Sequence, residues 1–116
     1  MMDRKDGQEA HAALPLNAAR FAELKNAGGV LVVDFWATWC MPCKMLGPVI
    51  EQLAADYKGR AVVGKVDIDE QRELAEEYRI QSVPTVMIFR DGDVADTLIG
   101  VRPLDVLKAA VDKALE

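Results

Sequence analysis

The chain has 116 residues, 51% hydrophobic and 28% charged, which suits one compact core and is too short for two. Fourteen basic residues against nineteen acidic ones leave a formal net charge of -5, and with no basic cluster in sight this argues against a nucleic-acid or anionic-membrane partner. The longest uncharged apolar run, "AGGVLVV", is far short of the roughly 20 residues that span a bilayer, and the opening "MMDRKDGQEAHAA" lacks a secretory apolar segment, so the expected compartment is the cytoplasm.

Residues 1–13 are polar, carry the only histidine, His11, and show neither helical nor strand periodicity; they read as a flexible tail before a single domain at 14–116. "LPL" offers a minimal first strand. Asn17 is placed to cap a short helix through "AARFAEL", with Phe21 and Leu24 facing inward and Gly28-Gly29 ending it. "VLVVDFWA" follows, a continuous β-branched and aromatic run of the kind that forms a central strand covered on both faces.

A helix is expected over residues 40–57, with Leu46, Ile50, Leu53 and Ala54 apolar. Pro48 in its middle removes a backbone donor and crowds the preceding turn, so the helix is expected to kink or split there. "AVVGKVDI" is the next strand, and Asp69 is placed to cap a helix through "EQRELAEEY". After "RIQSVP", the run "TVMIFRDGDVADTLIG" reads as a hairpin turning at Asp91-Gly92. "RPLDVLKAAVDKALE" closes the chain as a helix starting near Pro103, with Leu104, Leu107, Val111 and Leu115 on one side. Alternating strands and helices followed by a hairpin and a helix give an α/β fold: a three-layer sandwich whose central mixed sheet, parallel with an antiparallel edge hairpin, is flanked by helices on both faces.

The chain's only two cysteines stand three residues apart in "FWATWCMPCK", beside both tryptophans. That spacing cannot staple distant segments, so their role is local. It places them just after a central strand, in the first turn of a helix, where unpaired N–H groups and the positive end of the helix dipole favour an anion. Cys40, first in the turn, is therefore expected to be the thiolate. Side chains three apart on a helix are close enough for a disulfide to close with modest adjustment, so Cys40 can attack a partner's disulfide and Cys43 can resolve the mixed disulfide. Pro42 falls where a missing donor costs nothing and stiffens the loop. Asp34, inside "LVVDFWA", is expected to be buried with a raised pKa, and is a candidate base for Cys43.

In order and spacing, "VVDFWATWCMPC", "VPT" at 83–85 and "DGDV…IG" resemble the thioredoxin family, from about residue 14 to 116. The resemblance implies a general protein-disulfide reductase with no bound cofactor other than its own Cys40-Cys43 pair. Its implied partners are disulfide-containing proteins and an NADPH-dependent flavoprotein thioredoxin reductase, and a monomer is expected. By motif, Cys40 would attack, Cys43 resolve and Asp34 be the buried acid. Pro84 would be a cis-proline beside the site, Val83 would offer backbone hydrogen bonds to substrate, and Gly100 would line the docking groove. Trp36, Trp39 and Lys65 would serve as packing, surface and charge-tuning neighbours. Met41 stands where the family usually has glycine, which stiffens the loop and adds an apolar group that can shift redox poise or partner choice.

Other readings stay open at this level. A thiol oxidant or disulfide isomerase shares the fold, although oxidising relatives usually carry a histidine where this chain has Pro42. Zinc lacks ligands, with one distant histidine and no second cysteine pair. Cys40, Met41, Cys43 and Met45 cluster soft sulfurs of the kind that suit Cu(I). Asp34 could be an ordinary strand residue salt-bridged to Lys65. A non-enzymatic binding module would use the groove around Trp39, Pro84 and Gly100 without turning over its thiols.

Overall fold

The computed structural model describes residues 12–116; the expected tail falls almost wholly outside the described residues. Nine elements follow in chain order: β1 (Leu14–Pro15), α1 (Ala18–Asn26), β2 (Val30–Trp36), α2 (Met41–Asp56), β3 (Val62–Asp67), α3 (Arg72–Glu77), β4 (Thr85–Arg90), β5 (Asp93–Ile99) and α4 (Leu104–Leu115). The strands form one sheet in the order β1-β3-β2-β4-β5. β1 and β2 run parallel to β3, whereas β4 is antiparallel to both β2 and β5. This is the mixed sheet with an edge hairpin expected from the sequence.

β2 lies at the centre, and alternation along it feeds two cores. Val30 and Val32 pack with Leu46, Ile50 and Leu53 of α2 and Leu107 and Val111 of α4 on one face. Leu31, Val33 and Phe35 pack with Phe21 of α1 and Leu74 of α3 on the other. There Phe21, Tyr78 and Phe89 form a trio of edge-to-face contacts with ring centroids 5.4–5.6 Å apart, joining α1, the end of α3 and β4. A central strand covered on both faces has no room for polar side chains, which makes Asp34 the exception to explain.

Local signals set most element ends. Asn17 caps α1 by accepting the Arg20 N–H at 2.8 Å, and Gly28 and Gly29 take positive φ to turn the chain into β2. Pro103 stands at the N-cap of α4. The hairpin turns at Asp91-Gly92, both at positive φ, and the Asp91 carboxylate accepts the Gly29 N–H at 2.7 Å, tying the turn to the start of β2.

Three expectations change. Of the kink or split expected at Pro48 the split does not occur, since α2 is one continuous element through it: proline removes one backbone donor, while Leu46, Ile50 and Leu53 remain buried on either side and hold the turns together. Asp69 does not cap α3. Asp67 at the end of β3 accepts the N–H groups of Asp69 and Glu70 at 2.9 and 3.3 Å, and α3 begins later, after Gln71. The packed structure also starts before Leu14, because Ala13 is buried in the α2 core with its N–H donated to Glu51 Oε1 at 3.0 Å, and Ala12 packs beside it.

Candidate active site

Cys40 is the N-cap residue of α2, with Met41 and Pro42 in the first turn after it. Its Sγ accepts the Cys43 N–H at 3.2 Å, and the two cysteines are joined by a disulfide with a Cα–Cα separation of 5.3 Å. A sulfur so placed sits at the positive end of the helix dipole with an amide donor already aimed at it, the arrangement that stabilises a thiolate once the disulfide is reduced. Pro42 spends none of the donors in that turn. Cys43 lies a turn further in, and both sulfurs are buried beside Ala37 with Trp36, Ile68 and Val83 packed against them.

The loop before β4 closes the site from the other side. The Val83–Pro84 peptide bond is cis, the isomer the resemblance implied, and Val83 O lies 3.6 Å from Cys40 Sγ. Thr85 holds the loop through its hydroxyl, which donates to Ser82 O at 2.7 Å. Gly100, at φ 92°, donates its N–H to Pro84 O at 2.9 Å and so draws the end of the hairpin against the same loop. Cys40, the Val83–Pro84 pair and Gly100, from three segments distant in sequence, thus meet at one place.

Asp34 is buried on the α2-facing side of β2, and neither carboxylate oxygen has a hydrogen-bond partner among the described residues. Burial pushes its pKa up from 3.8 to about 7, and the Lys65 charge pulls part of the way back. Lys65 is its register neighbour on β3, but its ammonium rests 5.1 Å from the centroid of the Trp36 ring. The reading of Asp34 as salt-bridged to Lys65 therefore does not hold: no ion pair joins them among the described residues, and the lysine side chain goes to the indole, where a cation gains from the ring face.

Trp39 is exposed, and its Nε1–H donates to Asp69 Oδ2 at 2.9 Å. The sequence places Asp69 as a helix cap, and nothing in its surroundings points to Trp39. The carboxylate is free for the indole because Asp67 takes over the local turn. Met41, Met45, Ile99 and Val101 are also exposed, Met41 directly after Cys40 and Ile99 and Val101 on either side of Gly100, while the disulfide cysteines are nearly covered. Of these, Ile99 and Val101 carry no signal in the sequence beyond their adjacency to Gly100.

Among the described residues no group of three or more His, Cys, Asp or Glu side chains is gathered as a metal site, and no helix is long and apolar enough to cross a membrane. The redox-active group is the disulfide, part of the chain itself.

Comparison with known proteins agrees with this geometry. The family model described as Thioredoxin matches residues 12–113. A thioredoxin from Staphylococcus aureus is 48% identical over 91 residues, covering 78% of this chain and 88% of its own length. A mutant thioredoxin from Halobacterium salinarum NRC-1 superposes with a TM-score of 0.82 at 34% identity, and the Malassezia sympodialis thioredoxin with 0.80 at 36%; each match covers 90% of this chain and 91% of the other. With the helix-capping disulfide, the cis-proline loop and the mixed sheet all in one domain match, the chain belongs to the thioredoxin family of thiol-disulfide oxidoreductases.

Proposed function

We propose that the chain reduces protein disulfides in two successive exchanges, with Cys40 as the attacking sulfur and Cys43 as the resolving one. In the reduced protein the Cys40 thiolate attacks one sulfur of a substrate disulfide. That S–S bond breaks, the other substrate sulfur leaves as a thiolate and takes up a proton, and a mixed disulfide forms on Cys40. Cys43, once deprotonated, attacks Cys40 Sγ and expels the remaining substrate sulfur. The Cys40-Cys43 disulfide is regenerated and two electrons have passed to the substrate.

The observation that carries this reading is the place of Cys40: N-cap of α2, its sulfur facing both the Cys43 N–H and the Val83 carbonyl. Asp34 is proposed as the acceptor of the Cys43 proton, since a carboxyl at about 7 both takes and returns a proton near neutrality. Lys65 biases that carboxyl toward its charged form and packs on Trp36. The free backbone edge at Val83, next to Pro84 and Gly100, is proposed to pair with the substrate chain, while Trp39 and Met41 give it an apolar seat and Pro42 keeps the turn rigid.

Family membership implies disulfide-containing proteins as substrates and a thioredoxin reductase as the source of electrons. We take that reductase to be an NADPH-dependent flavoprotein and the chain to act as a cytoplasmic monomer of one domain, with residues 12 and 13 as its packed leading edge.

The test is insulin reduction with dithiothreitol as electron source. The protein is expected to accelerate it, Cys40→Ser to abolish the acceleration, and Cys43→Ser to accumulate a mixed disulfide visible by mass spectrometry. Unchanged turnover in Cys40→Ser removes the assignment of the attacking sulfur.

A further inference from the structure

The stretch "CMPCKM" holds four sulfurs, and the fold sorts them into two kinds. Cys40 and Cys43 are 5% and 4% exposed and bonded to each other. Met41 and Met45 are 69% and 68% exposed, whereas Met87, the other methionine among the described residues, is 8% exposed within the α1/α3 core. Met41 and Met45 are four apart on α2, which puts them one turn above the other on one face, and Met41 directly follows Cys40 in the chain. In the disulfide state the thioethers are thus the sulfurs open to a reagent from solvent.

We infer that Met41 and Met45 form a paired oxidation site, at which conversion to methionine sulfoxide by a peroxide weakens the docking of protein substrates while leaving the dithiol chemistry intact. A thioether lone pair attacks one peroxide oxygen, the O–O bond breaks, and the other oxygen leaves as water (from hydrogen peroxide) once a proton is transferred. Sulfur loses two electrons and the peroxide gains them. The product replaces a flexible apolar group with a polar one. At the seat proposed above, where exposed Trp39 and Met41 flank Cys40 and Met45 stands one helical turn on, that change removes part of the apolar surface. The helix-capping contact of Cys43 N–H with Cys40 Sγ and the carboxylate of Asp34 are buried and do not involve either thioether. The docking consequence rests on the substrate-reducing role proposed above; the site of oxidation does not.

The experiment treats the disulfide form with hydrogen peroxide, maps sulfoxides by peptide mass spectrometry, and then measures reduction of insulin and of the small disulfide 5,5′-dithiobis(2-nitrobenzoic acid). Each protein is referred to its own untreated rate. Expected are sulfoxides at positions 41 and 45 before position 87, a several-fold fall in kcat/KM for insulin, and an unchanged rate with the small disulfide. In the Met41→Leu/Met45→Leu variant, which has no sulfur at either position, treatment is expected to leave the insulin rate where it was. Equal or earlier oxidation of Met87, an undiminished insulin rate in protein carrying both sulfoxides, or an equal fall in the Leu variant would each overturn the inference. An untreated protein that fails to reduce insulin would instead refute the substrate-reducing role, and the sulfoxide map would still decide the site.

Discussion

Trp39 and Asp69 are 30 residues apart in sequence and joined by a 2.9 Å hydrogen bond from the indole N–H to the carboxylate. The bond fixes an exposed ring beside Cys40 and ties the start of α2 to the loop leaving β3. Asp69→Ala is expected to free the indole, lowering stability by about 1 kcal/mol. Catalysis should suffer more through KM than through kcat, because the ring belongs to the docking seat proposed above and not to the reacting sulfurs. Insulin kinetics and tryptophan emission check this; an unchanged spectrum and KM would show that the bond does not hold the ring.

Asp34 makes stability depend on pH in a definite direction. Its pKa is raised in the folded chain from 3.8 to about 7, so the folded state favours the protonated form. The cost of the carboxylate is absent below pH 3.8, grows as pH rises through the window between the two values, and is complete above about 7. At about 1.36 kcal/mol per pKa unit the full cost is on the order of 4 kcal/mol. Asp34→Asn is therefore expected to stabilise the protein by up to that amount at pH 8 and to change little at pH 4, measured by urea unfolding. The same variant should slow resolution of the mixed disulfide most above pH 7, where the native carboxylate is ionised and able to accept a proton. A gain equal at both pH values would contradict the cause assigned to the raised pKa.

Gly64 on β3 faces Leu16, and a Cβ built there overlaps the leucine side chain and lies 3.2 Å from the Leu14 carbonyl oxygen. Leu14 is also its register partner in the short β1 pairing. Gly64→Val is expected to cost about 1–3 kcal/mol as overpacking and to loosen β1 from the sheet. Urea unfolding gives the cost, and faster amide exchange at Leu16, whose N–H bonds Lys65 O at 2.8 Å, reports the loosening.

Tyr57 closes the far end of α2. Its hydroxyl donates to Asp112 Oδ1 at 2.5 Å and lies 3.1 Å from Lys108 O, joining α2 to α4. Tyr57→Phe keeps the buried ring and removes the hydroxyl, at an expected cost of about 1–2 kcal/mol. Because Cys40 caps the opposite end of the same helix, the insulin reduction rate should not change. A loss of activity at unchanged stability would mean that the two ends of α2 are coupled.

The sequence by itself settled what depends on near neighbours. Asn17 could be read as a cap because its carboxamide reaches an N–H three residues on, and Gly28-Gly29 and Asp91-Gly92 could be read as turns because positive φ favours those residue types. The place of Cys40 at a helix start followed in the same way, from an apolar strand running into a helical pattern. Periodicity also separated the core from the surface, and the aspartate interrupting an apolar strand announced its own burial.

Tertiary structure decided what brings distant segments together. Which aspartate of the 67–69 stretch would cap the turn was open locally, since both sit within reach of free amides; Trp39, from another element, takes the second. Lys65 could have met Asp34 or Trp36, and only side-chain packing across β2 and β3 directed it to the ring. Ala13 has no periodic signal and is buried because Glu51 and the α2 core lie where the chain passes. Local preferences are fixed by the few atoms around each backbone dihedral and are written in short stretches. The contacts of Cys40 with Val83, and of Gly100 with Pro84, exist only after the sheet has assembled and so are encoded by the whole pattern of burial.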